Sequence, residues 1–197
     1  REFPTHYKYY AEKSYEYAGI KQNNRNRLLW RDASVDGVKT GHTEAAGYCL
    51  VASAFRNGMR LISVVMGTES QISRAIESQK LLTFGFRYFE TISLYEAGDM
   101  LKKVKIWGGK HSSLRLGLTN PLILTIPKGS RDKLGAEITL VEEIHAPIRK
   151  GDKFGTLIIS GLGQEKVSVP ITALNSVEEA GFFSKLIDSI QLFSLKL

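Results

Sequence analysis

The pattern of apolar and polar residues in the first half of the chain predicts a small antiparallel sheet. A short β-like stretch runs from 35 to 43, and two runs rich in β-branched and apolar residues follow at 48–55 and 60–66. The pair Asn57-Gly58 separates the last two runs, and tight hairpin turns favour this pair because their central residues take positive φ. The pattern therefore predicts two antiparallel strands with a third strand beside them.

The next segment has helical spacing. Ser70 is a good N-cap residue, and an apolar stripe follows up to about residue 89. The stripe consists of Ile72, Ile76, Leu81, Leu82 and the run from Phe84 to Phe86. We expect this helix to cover one face of the sheet.

From about residue 91 the chain consists of short β-like segments separated by Gly, Pro and Asn turns, a texture typical of a small all-β sandwich or barrel. Ser176 and Glu179 then resemble a helix capping box, and apolar residues recur at helical spacing up to Leu197. Residues 1–34 are polar and tyrosine-rich and are expected to be irregular. These patterns predict an α+β chain with domains at 1–90 and 91–176 and an amphipathic helix at 177–197.

Composition narrows the class of protein. The 197 residues are 43% hydrophobic and 24% charged, which is typical of folded globular chains and not of disordered or collagen-like ones. Cys49 is the single cysteine, so the chain has no internal disulfide. No uninterrupted apolar stretch is as long as the roughly 20 residues that a membrane-spanning helix needs.

The net charge of +7 favours an anionic partner without saying which one. The basic residues are spread over both halves and lack the interleaved aromatic residues of a nucleic-acid platform, so nucleic acid is not expected. The four histidines and the cysteine show no metal-ligand spacing. We therefore expect neither a metal nor another cofactor.

The tripeptide Lys39-Thr40-Gly41 is the sharpest short motif, and it lies on a predicted strand just before a hairpin. Penicilloyl-serine enzymes place such a tripeptide on an edge strand that faces a serine nucleophile. Its lysine supplies a fixed positive charge, its threonine hydroxyl bonds the substrate, and its glycine leaves the cleft open. A backbone N–H on the same strand can stabilise a developing oxyanion. On the tripeptide alone, a surface turn is an equally good interpretation.

The surrounding residues resemble the D-alanyl-D-alanine carboxypeptidases among the low-molecular-mass penicillin-binding proteins. The similarity covers nearly the whole chain in several separated motifs. They are Asn24-Arg25-Asn26, the stretch from Val35 to Thr43, the runs 46–54 and 59–67, Arg74 with Glu77-Ser78, 126–129, 145–148, 167–170 and 179–186.

The resemblance implies a bacterial periplasmic enzyme that removes the terminal D-alanine from peptidoglycan pentapeptide through an acyl-enzyme and is acylated by β-lactams. Lys39 would belong to the catalytic hydrogen-bond network, and the backbone N–H of His42 would form half of the oxyanion hole. Thr40 and Gly41 would line the substrate site, and Arg25 and Arg74 would help to hold the substrate carboxylate. The terminal helix would lie on the outer face of the inner membrane.

One departure from the family pattern is large, because its Ser-x-x-Lys and Ser-x-Asn motifs are missing upstream of Lys39. Ser130 to Lys133 fits the first pattern, but it lies in a turn of the β-rich region, and we interpret it as a coincidence. We expect the chain to be a C-terminal fragment that is inactive alone and that packs against the missing N-terminal half of the catalytic domain.

Two alternatives stay open at this stage. The terminal helix could dock on the β-rich domain instead of a membrane. The whole chain could also be a catalytically silent binding or pedestal module at the membrane surface.

Overall fold

The fold is that of a computed structural model, and residues 2–163 and 165–181 are described. The chain divides into two compact units, Arg1–Thr91 and Ile92–Leu197. The described helices are α1 (Pro4–Tyr7), α2 (Leu28–Arg31) and α3 (Gln71–Tyr88). The described strands are β1 (Ser14–Tyr17), β2 (Ile20–Asn23), β3 (Val35–Thr43), β4 (Gly47–Arg56), β5 (Met59–Thr68), β6 (Phe89–Tyr95), β7 (Met100–Lys105), β8 (Ser113–Gly117), β9 (Leu122–Pro127), β10 (Gly135–Leu140), β11 (Lys153–Ser160) and β12 (Val167–Ala173).

The first unit is built on the antiparallel meander β3-β4-β5. Asn57 and Gly58 both have positive φ in the turn between β4 and β5, as the hairpin signal predicts. Ser70 caps α3 by accepting a hydrogen bond at its Oγ from the Ser73 N–H, at 3.0 Å. The three predicted strands and the predicted helix are therefore confirmed.

The buried face of α3 differs from the predicted one. Its inward residues are Arg74, Ala75, Ser78 and Leu82, whereas Ile72, Ile76, Leu81 and Phe84 are 39–56% exposed. Small side chains at Ala75 and Ser78 leave little bulk between this face and the sheet. The predicted stripe therefore lies on the outer side of the helix, with the exception of Leu82 and of the half-buried Phe86.

The core of the first unit follows the alternation of β4. Leu50, Ala52 and Ala54 point to the same face of the sheet and pack with Ala75 and Leu82 of α3. Burial of a leucine side chain contributes about 1.5–3 kcal/mol, so Leu50 and Leu82 are major contributors to this contact.

The N-terminal segment is more regular than its sequence predicts. Residues 4–11 form α1 and a 3-10 turn, and β1 and β2 form a hairpin in the register Ser14↔Asn23 to Tyr17↔Ile20. Tyr15, Tyr17 and Ile20 share one face of the hairpin, but all eight strand residues are exposed, so this face packs on no core among the described residues. Its turn lies at Ala18-Gly19, where both residues have positive φ.

The second unit consists mainly of antiparallel strands. One sheet has the order β10-β11-β12-β8-β7, and a second pairs β6 with β9. Leu114 and Leu116 of β8, Leu157 of β11 and Ile171 of β12 share one core with Leu122 of β9. The predicted all-β character of this region is confirmed.

The predicted terminal helix does not begin at 177. Val177 forms a β-bridge with Ile148, and Glu179 forms one with Gly109. Ser176 is not a helix cap, because its Oγ accepts a hydrogen bond from the Lys150 N–H. The rest of the predicted helix, 182–197, lies outside the described residues. Among the described residues, no helix has the length and apolar character needed to cross a bilayer.

Candidate functional site

The Lys39-Thr40-Gly41 tripeptide lies in the middle of β3, which is an edge strand of the meander. Its register with β4 runs Lys39↔Val51, Thr40↔Leu50, Gly41↔Cys49 and His42↔Tyr48. Because side chains alternate along a strand, Thr40 shares the helix-covered face with Leu50, while Lys39 lies on the opposite face. The tripeptide thus offers groups on both sides of one sheet edge.

Lys39 and Gly41 are accessible. The Lys39 ammonium is exposed and donates a hydrogen bond to the Thr40 carbonyl. A Cβ atom added to Gly41 would meet only the Cys49 Cβ, at 3.8 Å, so packing within the unit does not require glycine there. Gly37 on the same strand differs, because a Cβ there would lie 3.2 Å from the Cβ of Tyr10. The glycine at 41 therefore leaves open space beside Lys39.

Arg74 lies beneath the end of β3 and is only 3% exposed. Its Nη1 donates to the carbonyls of Gly41, at 3.0 Å, and Cys49, at 3.4 Å, and its Nη2 donates to the carbonyl of Arg25, at 3.3 Å. Burial lowers its pKa, and the positive charge of Arg25 acts in the same direction. The expected direct contact of Arg74 with a substrate needs an accessible guanidinium, whereas here the group fastens β3, β4 and the Arg25 segment together.

The Asn24-Arg25-Asn26 motif shapes the segment that presents Arg25. The Asn24 Oδ1 accepts from the Asn26 N–H, and the Asn26 Oδ1 accepts from the Leu28 N–H at the start of α2. The buried Asn26 also donates through Nδ2 to the Gly37 carbonyl on β3, at 2.9 Å. These bonds leave the Arg25 side chain exposed close to the strand that carries Lys39.

An aromatic pair covers the other end of the tripeptide. The His42 ring lies on the Tyr48 ring, with centroids 3.9 Å apart, and the Arg74 guanidinium lies 5.5 Å from the Tyr48 centroid. Arg25, Lys39 and Arg74 form no ion pair among the described residues, so this region carries uncompensated positive charge. Such a region attracts an anionic group.

Two polar clusters hold the scaffold around the site. Asp32, after α2, accepts hydrogen bonds from Ser34, from Gln79 of α3 and from Arg56 of β4. Burial alone would raise the pKa of Asp32, but the hydrogen bonds from Ser34 and Gln79 and the charge of Arg56 lower it to about 2.

The second cluster fastens the N-terminal segment to the sheet. The Tyr7 hydroxyl donates to Asp36 at 3.0 Å, and Arg60 bonds both Asp36, at 2.8 Å, and the hydroxyl of buried Ser53, at 2.6 Å. Sequence patterns did not reveal either cluster, because their members are far apart in the chain.

The described residues contain no group of three or more His, Cys, Asp or Glu side chains that could hold a metal ion. Ser130 donates its hydroxyl to the Pro127 carbonyl at the start of a short 3-10 turn. The sequence motif and the structure therefore indicate the same candidate site, the tripeptide on β3.

Comparison with known proteins identifies the family. Residues 1–70 match the profile of the D-alanyl-D-alanine carboxypeptidase family, and residues 89–179 match the profile of the penicillin-binding protein 5 C-terminal domain. The chain is 43% identical over 194 residues to the D-alanyl-D-alanine carboxypeptidase DacA of Escherichia coli, covering 98% of this chain. The chain belongs to the D-alanyl-D-alanine carboxypeptidase family.

Solved structures of two penicillin-binding proteins agree with this fold. Penicillin binding protein 5 from Haemophilus influenzae is 41% identical and superposes with a TM-score of 0.79 over 90% of this chain and 53% of its own. A penicillin-binding protein from Streptococcus pneumoniae, 21% identical, shares the fold with a TM-score of 0.71.

The chain spans about half of the carboxypeptidases that it matches, 48% in the case of the Escherichia coli protein. The Bacillus subtilis relative DacF is also named a D-alanyl-D-alanine carboxypeptidase and is 37% identical over 83% of this chain. These names do not favour the alternative of a catalytically silent module.

Proposed function

We propose that this chain is the C-terminal part of a serine-type D-alanyl-D-alanine carboxypeptidase and supplies one wall of its active site. The substrate is peptidoglycan pentapeptide, from which the enzyme removes the terminal D-alanine through an acyl-enzyme, and β-lactams acylate the same serine. The observation that carries the proposal is an exposed Lys39 beside open space at Gly41, on an edge strand surrounded by unpaired positive charge.

The roles follow from accessibility. Lys39 takes part in proton transfer and hydrogen bonding at the serine, and Thr40 bonds the substrate carboxylate. Gly41 leaves room for the peptide, and the backbone N–H of His42 donates to the oxyanion. One such donor typically contributes about 3–4 kcal/mol of transition-state stabilisation.

Arg25 and Arg74 have different roles in binding the substrate carboxylate. The exposed Arg25 contacts the carboxylate with its fork of donors. Arg74 acts as a positioning residue, because its guanidinium is occupied by the carbonyls of Gly41, Cys49 and Arg25. Its buried charge adds to the positive potential of the site.

The nucleophile is supplied by the missing N-terminal half of the catalytic domain, which packs on this unit. Two apolar surfaces support this partner. Ile62, Val64 and Met66 of β5 are 58–73% exposed on the face opposite α3, and Ile72 and Ile76 are exposed on the outer side of α3. An exposed apolar strand face at a sheet edge favours burial against another element.

We place the enzyme in the bacterial periplasm, on the outer face of the inner membrane. The support is the amphipathic pattern of residues 182–197 together with the family match of residues 89–179.

Release of D-alanine from a pentapeptide tests the proposal in the intact gene product that contains this chain. We expect Lys39→Ala to lower kcat/KM by at least about 100-fold and Arg25→Gln to act mainly through KM. A Lys128→Ala variant, in the second unit, is the control. Full activity of the Lys39 variant would contradict the proposal.

A further inference from the structure

The edge strand β7 of the second unit carries an unusual set of cations. It has lysines at 102, 103 and 105, and its register with β8 pairs Lys103 with Arg115 and Lys105 with Ser113. Leu114 and Leu116 of β8 are buried, so Arg115 points to the outer side of the sheet together with Lys103 and Lys105. We call Lys103, Lys105 and Arg115 the basic face.

The basic face is unfavourable for the isolated domain. Like charges directly opposite each other on an antiparallel pair are destabilising. All three side chains are exposed, and within the described part of the chain none of them forms an ion pair. The Lys105 ammonium lies 3.8 Å from the centroid of the Trp107 ring, which fixes its position but does not neutralise it.

Protection of a sheet edge explains only part of this arrangement. Lysines on an edge strand discourage pairing with other chains, which accounts for Lys103 and Lys105 on β7. Arg115 lies on β8, which is paired on both sides by β7 and β12 and therefore has no open edge. Edge protection therefore does not explain Arg115, a cation directly opposite Lys103. An anionic partner that binds both side chains does explain it.

The position of the basic face indicates which partner. Residues 178–180 run beside residues 108–110: the Lys110 N–H donates to the Glu178 carbonyl at 2.9 Å, and the Ala180 N–H donates to the Gly108 carbonyl at 2.8 Å. The chain therefore leaves the described domain next to Trp107, on which Lys105 rests. The sequence beyond that point, 182–197, contains the apolar stripe that begins with Phe182 and Phe183.

We propose that the basic face docks on the headgroups of anionic phospholipids. Ammonium and guanidinium groups bind lipid phosphates, and each basic residue near an anionic bilayer strengthens binding roughly fivefold. The second unit would then contact the membrane through charge as well as through the terminal segment. The inference rests on the proposed location at a membrane surface, and it is independent of the carboxypeptidase chemistry.

Co-sedimentation of the 197-residue chain with vesicles tests this docking. The vesicles contain either phosphatidylcholine alone or equal parts of phosphatidylcholine and phosphatidylglycerol. The test variant is K103Q/K105Q/R115Q. The matched control is K133Q/K153Q/K166Q, which removes three exposed cations in the 3-10 turn before β10, at the start of β11 and just before β12.

We expect the test variant to bind the anionic vesicles on the order of 100-fold more weakly than the wild type, and the control to stay within about threefold. The difference should shrink as salt screens the charges. Binding to neutral vesicles, which reports the apolar terminal segment, should be equal in all three proteins.

Equal losses of binding to anionic vesicles in the test and control variants would show that only the net charge matters, and this result would overturn the proposal. It is also overturned if the wild type does not prefer anionic vesicles. If purified peptidoglycan sacculi, and not the vesicles, distinguish the test variant from the control, the partner is the wall polymer and the membrane assignment is wrong. Thermal unfolding checks that the variants fold, and the test variant should melt no lower than wild type, since a like-charge pair is removed.

Discussion

Arg74 is a buried cation without a carboxylate partner among the described residues. Buried charges are normally paired, since burial of an unpaired charge is costly. Here three backbone carbonyls from β3, β4 and the Arg25 segment supply the negative ends of dipoles instead. The positive charge of Arg74 therefore has two effects. It fastens the strand that carries Lys39, and it makes the electrostatic potential of the site more positive, which favours an anion.

Replacement of Arg74 should therefore lower the stability of the fold as well as the activity. We expect Arg74→Met to lower the free energy of unfolding by about 2–3 kcal/mol, because carbonyls at a buried site lose their donors. Arg25→Met is the matched control: its side chain is exposed, and we expect a change within about 0.5 kcal/mol. Urea unfolding of the two variants measures this, and equal effects would show that Arg74 has no positioning role.

Asp32 gives the fold a dependence on acid. Its pKa is about 2 in the folded chain and 3.8 when unperturbed, so its stabilising contribution is complete above about pH 4 and is lost as the pH falls towards 2. The shift corresponds to about 2 kcal/mol.

The free energy of unfolding of wild type should thus fall by about 2 kcal/mol more between pH 5 and pH 2 than that of Asp32→Asn. The measurement is urea unfolding at the two pH values. Identical pH dependence in both proteins would show that the Ser34, Gln79 and Arg56 contacts do not stabilise the carboxylate.

At this scale the sequence motif predicted the strand location of Lys39, Thr40, Gly41 and His42. It did not predict that Arg74 is buried. A signal was present, because Arg74 has helical spacing with Ala75, Ser78 and Leu82, which form the inward face of α3. The larger residues Ile72 and Ile76 drew the prediction to the wrong side of the helix.

At the scale of elements, α3 connects the sheet to the site, since it carries Arg74 one turn from its N-cap. Ser70 supplies that cap, and Thr68 and Ser70 lead from β5 into the helix. We expect Ser70→Ala to lower the free energy of unfolding by about 1 kcal/mol, because the Ser73 N–H loses its partner.

Ser70→Asp is the control for this change, because aspartate also caps helices and its negative charge interacts favourably with the positive end of the helix dipole. Thermal unfolding should therefore place Ser70→Asp near wild type and Ser70→Ala several degrees lower. A loss of equal size in both variants would show that the hydroxyl matters for a reason other than capping.

Elements with strong local signals were predictable. The strands β3 to β5 follow apolar alternation and an Asn-Gly turn, and α3 follows a cap and helical spacing. The hairpin β1-β2 alternates only over the four residues Ser14 to Tyr17 and turns at Ala18-Gly19 instead of an Asn-Gly pair, so its signal is too short to predict the pairing. Ser176 and Glu179 imitate a capping box, but the β-bridge of Val177 with Ile148 is a long-range contact that local sequence does not encode.

At the scale of the whole molecule, the first unit is a sheet with one face packed on α3 and an apolar patch on the other. Lys39 lies on the same side of the sheet as Ile62 and Val64, since Lys39 pairs with Val51 and Val51 pairs with Val64. A segment that covers this patch is therefore brought next to Lys39. This geometry is what the proposed partner, which carries the serine, requires.

Intact-mass spectrometry after incubation with benzylpenicillin tests this central claim most directly. The 197-residue chain alone should remain unmodified, whereas the chain combined with the N-terminal half of the catalytic domain should give one penicilloyl adduct, carried by that half. The adduct should disappear with Lys39→Ala in this chain. An adduct on the isolated chain, or an adduct whose formation is indifferent to Lys39, would contradict the account.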